Sequence, residues 1–87
     1  MTAQVFVLYF AKSVELTGVK VEEIVAVPTP ISSRDLWRLL LQRHPSLSVL
    51  QDQVVLAVRC QYVAIGDQVV TLVDGDEVAV VPPLSGG

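Results

Sequence analysis

The side chains of this chain that could do chemistry are few and scattered. There is one cysteine, Cys60, and one histidine, His44. A lone cysteine at a strand end ordinarily serves as a small apolar filler. His44 stands before Pro45 at the end of a helical pattern, where an imidazole interacts favourably with the last carbonyls. No second ligand accompanies it, so no metal site is expected. Ser85 lacks the strained elbow and the histidine partner of a nucleophilic serine. Asp74, Asp76 and Glu77 read as turn and solvated surface, and the run Gly75-Asp76-Glu77 has no phosphate-loop pattern. What remains is the last backbone group. The sequence ends Pro82-Pro83-Leu84-Ser85-Gly86-Gly87. A glycine tip has no side chain to obstruct it, so it can pass through a narrow channel and set a bare carboxylate inside another protein. A glycine terminus is ordinarily no more than a frayed end. This one follows an apolar strand and a Pro-Pro spacer, in a chain offering no other site.

Prolines lack the N–H of a ladder and fix φ, so the chain must leave its sheet at Pro82. They also favour an extended backbone. A mobile, projecting tail over 82–87 is expected, reaching at most about 20 Å.

The elements that position this tail are legible in outline. Gln4 to Phe10 is rich in β-branched and aromatic residues, as strands are. It lacks polar alternation. Val5, Val7 and Tyr9 occupy one parity and Phe6, Leu8 and Phe10 the other, so one apolar set must face a partner or a cover. Ala11 to Thr17 predicts a short helical turn stopped by Gly18. Val19 to Val27 predicts a second strand, with Val19, Val21, Ile24 and Val25 inward and a bulge between Glu22 and Glu23. Ser32-Ser33-Arg34-Asp35 is a helix start. Leu36, Leu39 and Leu40 then give one apolar face, flanked by Trp37 and Leu41, until Pro45 ends the helix. Val54 to Arg59, Tyr62-Val63, Val69 to Leu72 and Glu77 to Val81 read as strands, separated by turns at Gly66-Asp67 and Asp74-Gly75-Asp76. The order predicts an α+β domain spanning 1–87, a mixed sheet with one main helix across one face.

Composition limits the rest. A chain of 87 residues buries only about 60–65% of its unfolded surface, too little for both a core and a deep substrate cleft. No catalytic activity of its own is expected. Lys12, Lys20, Arg34, Arg38, Arg43 and Arg59 form no stripe, and the net charge is −3, so no nucleic acid is expected as partner. One cysteine permits no internal disulfide, which fits a reducing compartment. No apolar run approaches the ~20 residues that span a bilayer, and the N-terminus lacks the pattern of a signal peptide. A soluble, cytosolic protein without membrane contact is expected.

Three segments carry a family resemblance. Asp74 to Gly87 is similar to the C-terminal signature of the small subunits of molybdopterin synthase, which are MoaD/ThiS-type sulfur carriers. Val7-Leu8-Tyr9-Phe10-Ala11-Lys12-Ser13 resembles the same family's first strand. Leu36-Trp37 with Arg43-His44-Pro45 resembles the eukaryotic version. The resemblance implies a β-grasp, ubiquitin-like fold. It implies that the Gly87 carboxylate, ionised with an ordinary pKa of about 3.5 and unreactive toward nucleophiles, is adenylated with ATP by an enzyme related to ubiquitin-activating enzymes. The transient glycyl adenylate then becomes a thiocarboxylate, whose sulfur goes to a pterin precursor held by the large subunit, in a heterotetramer with two copies of each subunit. No permanently bound cofactor is implied. Phe10, Tyr62 and Val81 match positions through which the family meets its partners. Other readings of the same features are a ubiquitin-like modifier conjugated to lysines, a thiazole-pathway sulfur carrier, and a binding module with an inert tail.

Overall fold

The computed structural model describes residues 1–82. Strand β1 (Thr2–Tyr9) is followed by helix α1 (Lys12–Thr17), β2 (Val21–Pro28), the two-residue β3 (Ile31–Ser32) and helix α2 (Ser33–Arg43). A 3₁₀ segment, Pro45–Leu50, leads to β4 (Val55–Val58), β5 (Gln61–Ala64), β6 (Val69–Val70) and β7 (Asp76–Val81). Five strands form one sheet in the order β2-β1-β7-β4-β5, and β3 pairs with β6 separately. β1 and β7 run parallel, while the other neighbours are antiparallel. The expected mixed sheet with a main helix on one face is therefore the fold observed.

Burial decides which parity of β1 faces the core. Ala3, Val5, Val7 and Tyr9 are buried and join Ile24, Val27, Leu36, Trp37, Leu40, Leu56, Val78 and Val80 in one cluster under α2. Phe6 and Leu8 are half-buried and Phe10 is exposed. The α2 cap is as expected: the Ser32 hydroxyl oxygen accepts the Asp35 N–H at 3.1 Å. Gly18 stops α1 in a left-handed conformation, its N–H donating to the Val14 carbonyl.

Strand β2 departs from expectation. Its buried residues are Ile24 and Val27, while Val21 and Val25 are 55% and 67% exposed. The bulge is real but lies three residues further on. β1 advances from Ala3 to Val5 as β2 passes from Val27 to Ile24, so β2 carries the extra residue. Ala26 absorbs it at φ 63°. The bulge returns Ile24 and Val27 to the same face, which a regular strand could not do at that spacing.

The end of α2 is tied to β2 through Glu22. Its carboxylate accepts from Tyr9 Oη at 2.9 Å and from both Arg43 Nε and Nη2 at 3.2 Å, and it lies 3.0 Å from His44 Nε2. Burial pushes this carboxyl up, but the hydrogen bonds from Tyr9, His44 and Arg43 outweigh it and hold the group below the ordinary carboxylate range. Burial, then the Glu22 hydrogen bond, pushes the Tyr9 phenol well up. His44 thus serves as a bridge to the sheet as well as the helix cap. A carboxyl depressed by folding stabilises above its unfolded pKa and loses that contribution as pH falls through its folded value. Glu22→Gln keeps an acceptor for Tyr9 but removes the charge. It should cost about 1–3 kcal/mol at pH 7. The difference from the parent should shrink as pH falls below about 4.3, measured by urea denaturation at a series of pH values.

Candidate functional site

The outer face of the sheet, opposite α2, is where the sequence-predicted partner residues meet. Cross-strand pairing sets them in rows. Tyr62 of β5 pairs with Ala57 of β4, Ala57 with Ala79 of β7, Ala79 with Leu8 of β1, and Leu8 with Val21 of β2. The next row holds Ala64, Val55 and Val81. All are exposed or half-buried, whereas Val58, Val63, Val78 and Val80 of the alternate parity are buried. This is the period of two expected of a strand with one covered face. Tyr62 is 75% and Phe10 48% exposed. Phe10 joins Leu8 and Val21 in a shallow apolar depression closed by Val14 and the Lys20 stem, so it continues the same surface.

Phe10 is held by its turn. The Ser13 hydroxyl accepts the Phe10 N–H at 2.8 Å and donates to the Phe10 carbonyl at 2.6 Å, and Ser13 is fully buried. Ala11 between them stands at φ 53°, a conformation costly for a residue with a Cβ. The buried serine therefore fixes the angle at which β1 gives up its last aromatic residue. Its role depends on a contact three residues away and was not readable as a site.

Strand β7 delivers the chain end. It is bonded to β1 on one side and β4 on the other, and its last residue, Val81, pairs with Val55. Pro82, counted with the tail in the sequence, is buried. It belongs to the packed body. Pro83, Leu84, Ser85, Gly86 and Gly87, which carry the predicted chemistry, lie outside the described residues.

Asp76, read from sequence as turn and solvated surface, is instead 9% exposed. Its Oδ2 accepts the Val73 N–H at 2.9 Å and pairs with Arg59 Nη1, while Arg59 Nη2 donates to the Thr71 carbonyl at 3.1 Å. This pins the start of β7 to the β4–β5 hairpin, whose loop residues Arg59 and Cys60 both have positive φ. Such a two-residue hairpin normally carries Asn or Gly, so no local pattern signals it. Cys60 is exposed there rather than filling the core, at the opposite end of β4 from Val55 and the chain exit. Among the described residues no group of His, Cys, Asp and Glu is placed to hold a metal ion, and no helix is long and apolar enough to cross a membrane.

A five-stranded mixed sheet, a single long helix on one face and a central C-terminal strand define a ubiquitin-like β-grasp protein. The comparisons narrow the class: the chain belongs to the ThiS family, which it matches over residues 7–87. A human protein described as molybdopterin synthase sulfur carrier subunit is 51% identical over 84 residues, 97% of this chain and 94% of the relative. A solved structure from Pyrococcus furiosus, titled a putative molybdopterin converting factor subunit 1, aligns with TM-score 0.75 and 34% identity over 95% of this chain and all of that one. The crystal structure of SAMP1 from Haloferax volcanii aligns with TM-score 0.77 and 25% identity over 98% of this chain and all of that one. The family resemblance and the β-grasp fold it implied are thus both borne out.

If the outer face is surface rather than core, its residues should be dispensable for folding. Tyr62→Ser should move unfolding free energy by no more than about 0.5 kcal/mol. Leu56→Ala, on the neighbouring strand but fully buried, should cost about 2–5 kcal/mol. Thermal or urea melts of both variants check the contrast.

Proposed function

We propose that this chain is a sulfur carrier of molybdenum cofactor biosynthesis, working as the small subunit of molybdopterin synthase through the carboxylate of Gly87. The observation that carries the reading is the 51% identity, over nearly the whole of both chains, to a human relative described as that subunit. The tail ending in Gly86-Gly87 and the central placement of β7 fit it.

The chemistry follows from the carboxylate. It is a poor electrophile, so one oxygen attacks the α-phosphorus of ATP within an activating enzyme and pyrophosphate leaves. A sulfide-level donor then adds to the acyl carbon and AMP departs, leaving a thiocarboxylate. Its sulfur attacks a carbon of the pterin precursor in the large subunit and displaces an oxygen substituent, forming a thioester; water then cleaves the acyl–sulfur bond, leaving sulfur on the pterin and releasing the carrier as carboxylate. The chain supplies the handle; the partners supply ATP, pocket and proton transfers. Phe10, Tyr62 and Val81 dock on those partners, and the synthase assembles two small and two large subunits in the cytosol.

Co-expression with the activating enzyme and a sulfur source should raise the intact mass by the exchange of one oxygen for sulfur. Reconstitution of thiocarboxylated chain, large subunit and precursor should yield molybdopterin. Deleting Gly87, or adding one residue beyond it, should abolish both. A mass gain that survives loss of Gly87 sinks the reading.

A second reading, a modifier conjugated to lysines, is favoured by the alignment with a protein whose other solved structure is titled small archaeal modifier protein 1. It predicts lysine-linked adducts in cell extract that require Gly87. A thiazole-pathway carrier would share the thiocarboxylate but leave molybdopterin unformed in the reconstitution.

A further inference from the structure

A cavity adjoins the chain exit on the helix side of the sheet. Arg34, Trp37, Arg38 and Leu41 share one face of α2. With Asp52, from the turn before β4, and Ile65, just beyond β5, they line about 410 Å³. Trp37 is 2% exposed, and its indole N–H is the one buried side-chain donor without a hydrogen-bond partner among the described residues. A buried donor left unpaired is costly, and an acceptor lodged against Trp37 in the cavity is the partner it lacks. Both guanidinium groups on the wall are available to the same acceptor. Arg34 pairs with Asp67 at 2.7 Å and Arg38 with Asp35 at 3.4 Å, but those carboxylates are 88% and 60% exposed. Ion pairs so exposed contribute little, so either arginine can exchange its partner for another carboxylate. Asp52 is the opposing charge on the wall.

The occupant is singled out by where the chain ends. Ala64, Val55 and Val81 are cross-strand neighbours. Ile65, which follows Ala64, and Pro82, which follows Val81, are therefore two strand spacings apart, roughly 10 Å. Ile65 packs against the core and Pro82 is buried, so both lie toward the helix layer. The five residues 83–87 span up to about 18 Å, which exceeds that gap by about 8 Å. We propose that the cavity is a carboxylate site filled by this chain's own terminus: the Gly87 carboxylate accepts from Arg34, Arg38 and the Trp37 indole, and Leu84 lies over Leu41 and Ile65. Guanidinium forks match the geometry of a carboxylate, and a glycine tip brings no side chain into a narrow mouth. A five-residue tether holds the carboxylate at an effective concentration of millimolar order, so an affinity of about 1 mM fills the site half the time. Contact this weak shields the terminus between encounters and yields to any partner that binds Gly87 more tightly.

The chain has one tryptophan, so its indole N–H gives a single nitrogen–proton NMR cross-peak that reports the site directly. The full chain is compared with the same chain bearing a carboxamide in place of the Gly87 carboxylate, a change that leaves the folded body untouched. The Trp37 cross-peak should differ between the two forms. In the double variant Arg34→Gln, Arg38→Gln the difference should all but vanish, as a tenfold weaker site falls below about one-tenth filled. Asp52→Asn, which removes the opposing charge, should enlarge it and raise the heteronuclear NOE of Gly87. Acetyl-Gly-Gly, titrated into the carboxamide form, should carry the Trp37 peak toward its position in the parent over a millimolar range. Identical Trp37 peaks in the carboxylate and carboxamide forms overturn the proposal, even where acetyl-Gly-Gly binds, because the site would then be one that the chain's own terminus does not use. A difference between the forms that grows with protein concentration overturns it too, since the occupant would be the terminus of a second copy. Neither an activating enzyme nor a large subunit enters the measurement, so its outcome is independent of the sulfur-carrier reading.

Discussion

Parallel pairing of the first and last strands governs the arrangement of this protein. Val5 lies beside Asp76 and Tyr9 beside Val80, so both strands run toward the same edge of the molecule. Parallel neighbours cannot be joined by a hairpin. Everything between Tyr9 and Asp76 is one long connection, and it must return β7 to a central slot between β1 and β4. The connection contains a single three-turn helix, which covers only one face. The other face is left uncovered, with apolar side chains from Ala57 and Ala79 up to Tyr62 on it. A central strand that is also the last strand places the outgoing chain beside Phe10 and Val81, on the border of that uncovered face.

How far the sequence revealed this depends on the range of each interaction. Helix α2 was readable because its signals are local: a serine cap three residues before Asp35, leucines at helical spacing and a proline stop. Gly18 and the Asp74-Gly75-Asp76 turn were readable for the same reason. The bulge at Ala26 was displaced in expectation because no glycine marks it; the need to bury both Ile24 and Val27 creates it. The Arg59-Cys60 turn was unreadable because its usual residues are absent and its support comes from Asp76, seventeen residues on. The Glu22 cluster joins groups 13 to 22 residues apart, beyond any pattern in a local window.

The candidate site divides along the same line. Alternation in β1 showed that both parities are apolar, but only the register showed which one α2 covers. Phe10, Tyr62 and Val81 came from family resemblance, and the structure sets them on one surface. The row that links them through Ala57 and Ala79 could not be read in advance. Alanine in a strand carries no signal of its own, and cross-strand neighbours become known only when the order β1-β7-β4-β5 is. Gly87 had the opposite character: its reading as a bare handle came from its position in the sequence and its chemistry from the family resemblance, and it lies outside the described residues.

Rigidity at the base of the tail follows from the packing and bears on what a partner must look like. β7 is hydrogen-bonded on both sides, Val78 and Val80 are fully buried, and Pro82 is buried as well. The point of departure is therefore held in place up to the last described residue. Five residues, 83–87, separate it from the terminal carboxylate, a span of at most about 18 Å if fully extended. Under the proposed function, a receiving pocket must lie within that distance of Pro82 while its surrounding surface rests on the outer face of the sheet. Holding Pro82 in the body shortens the reach of the chain end by one residue, about 3.5 Å. A buried Pro82 thus favours, under the proposed function, a pocket close to the outer sheet face over one deep in a distant domain.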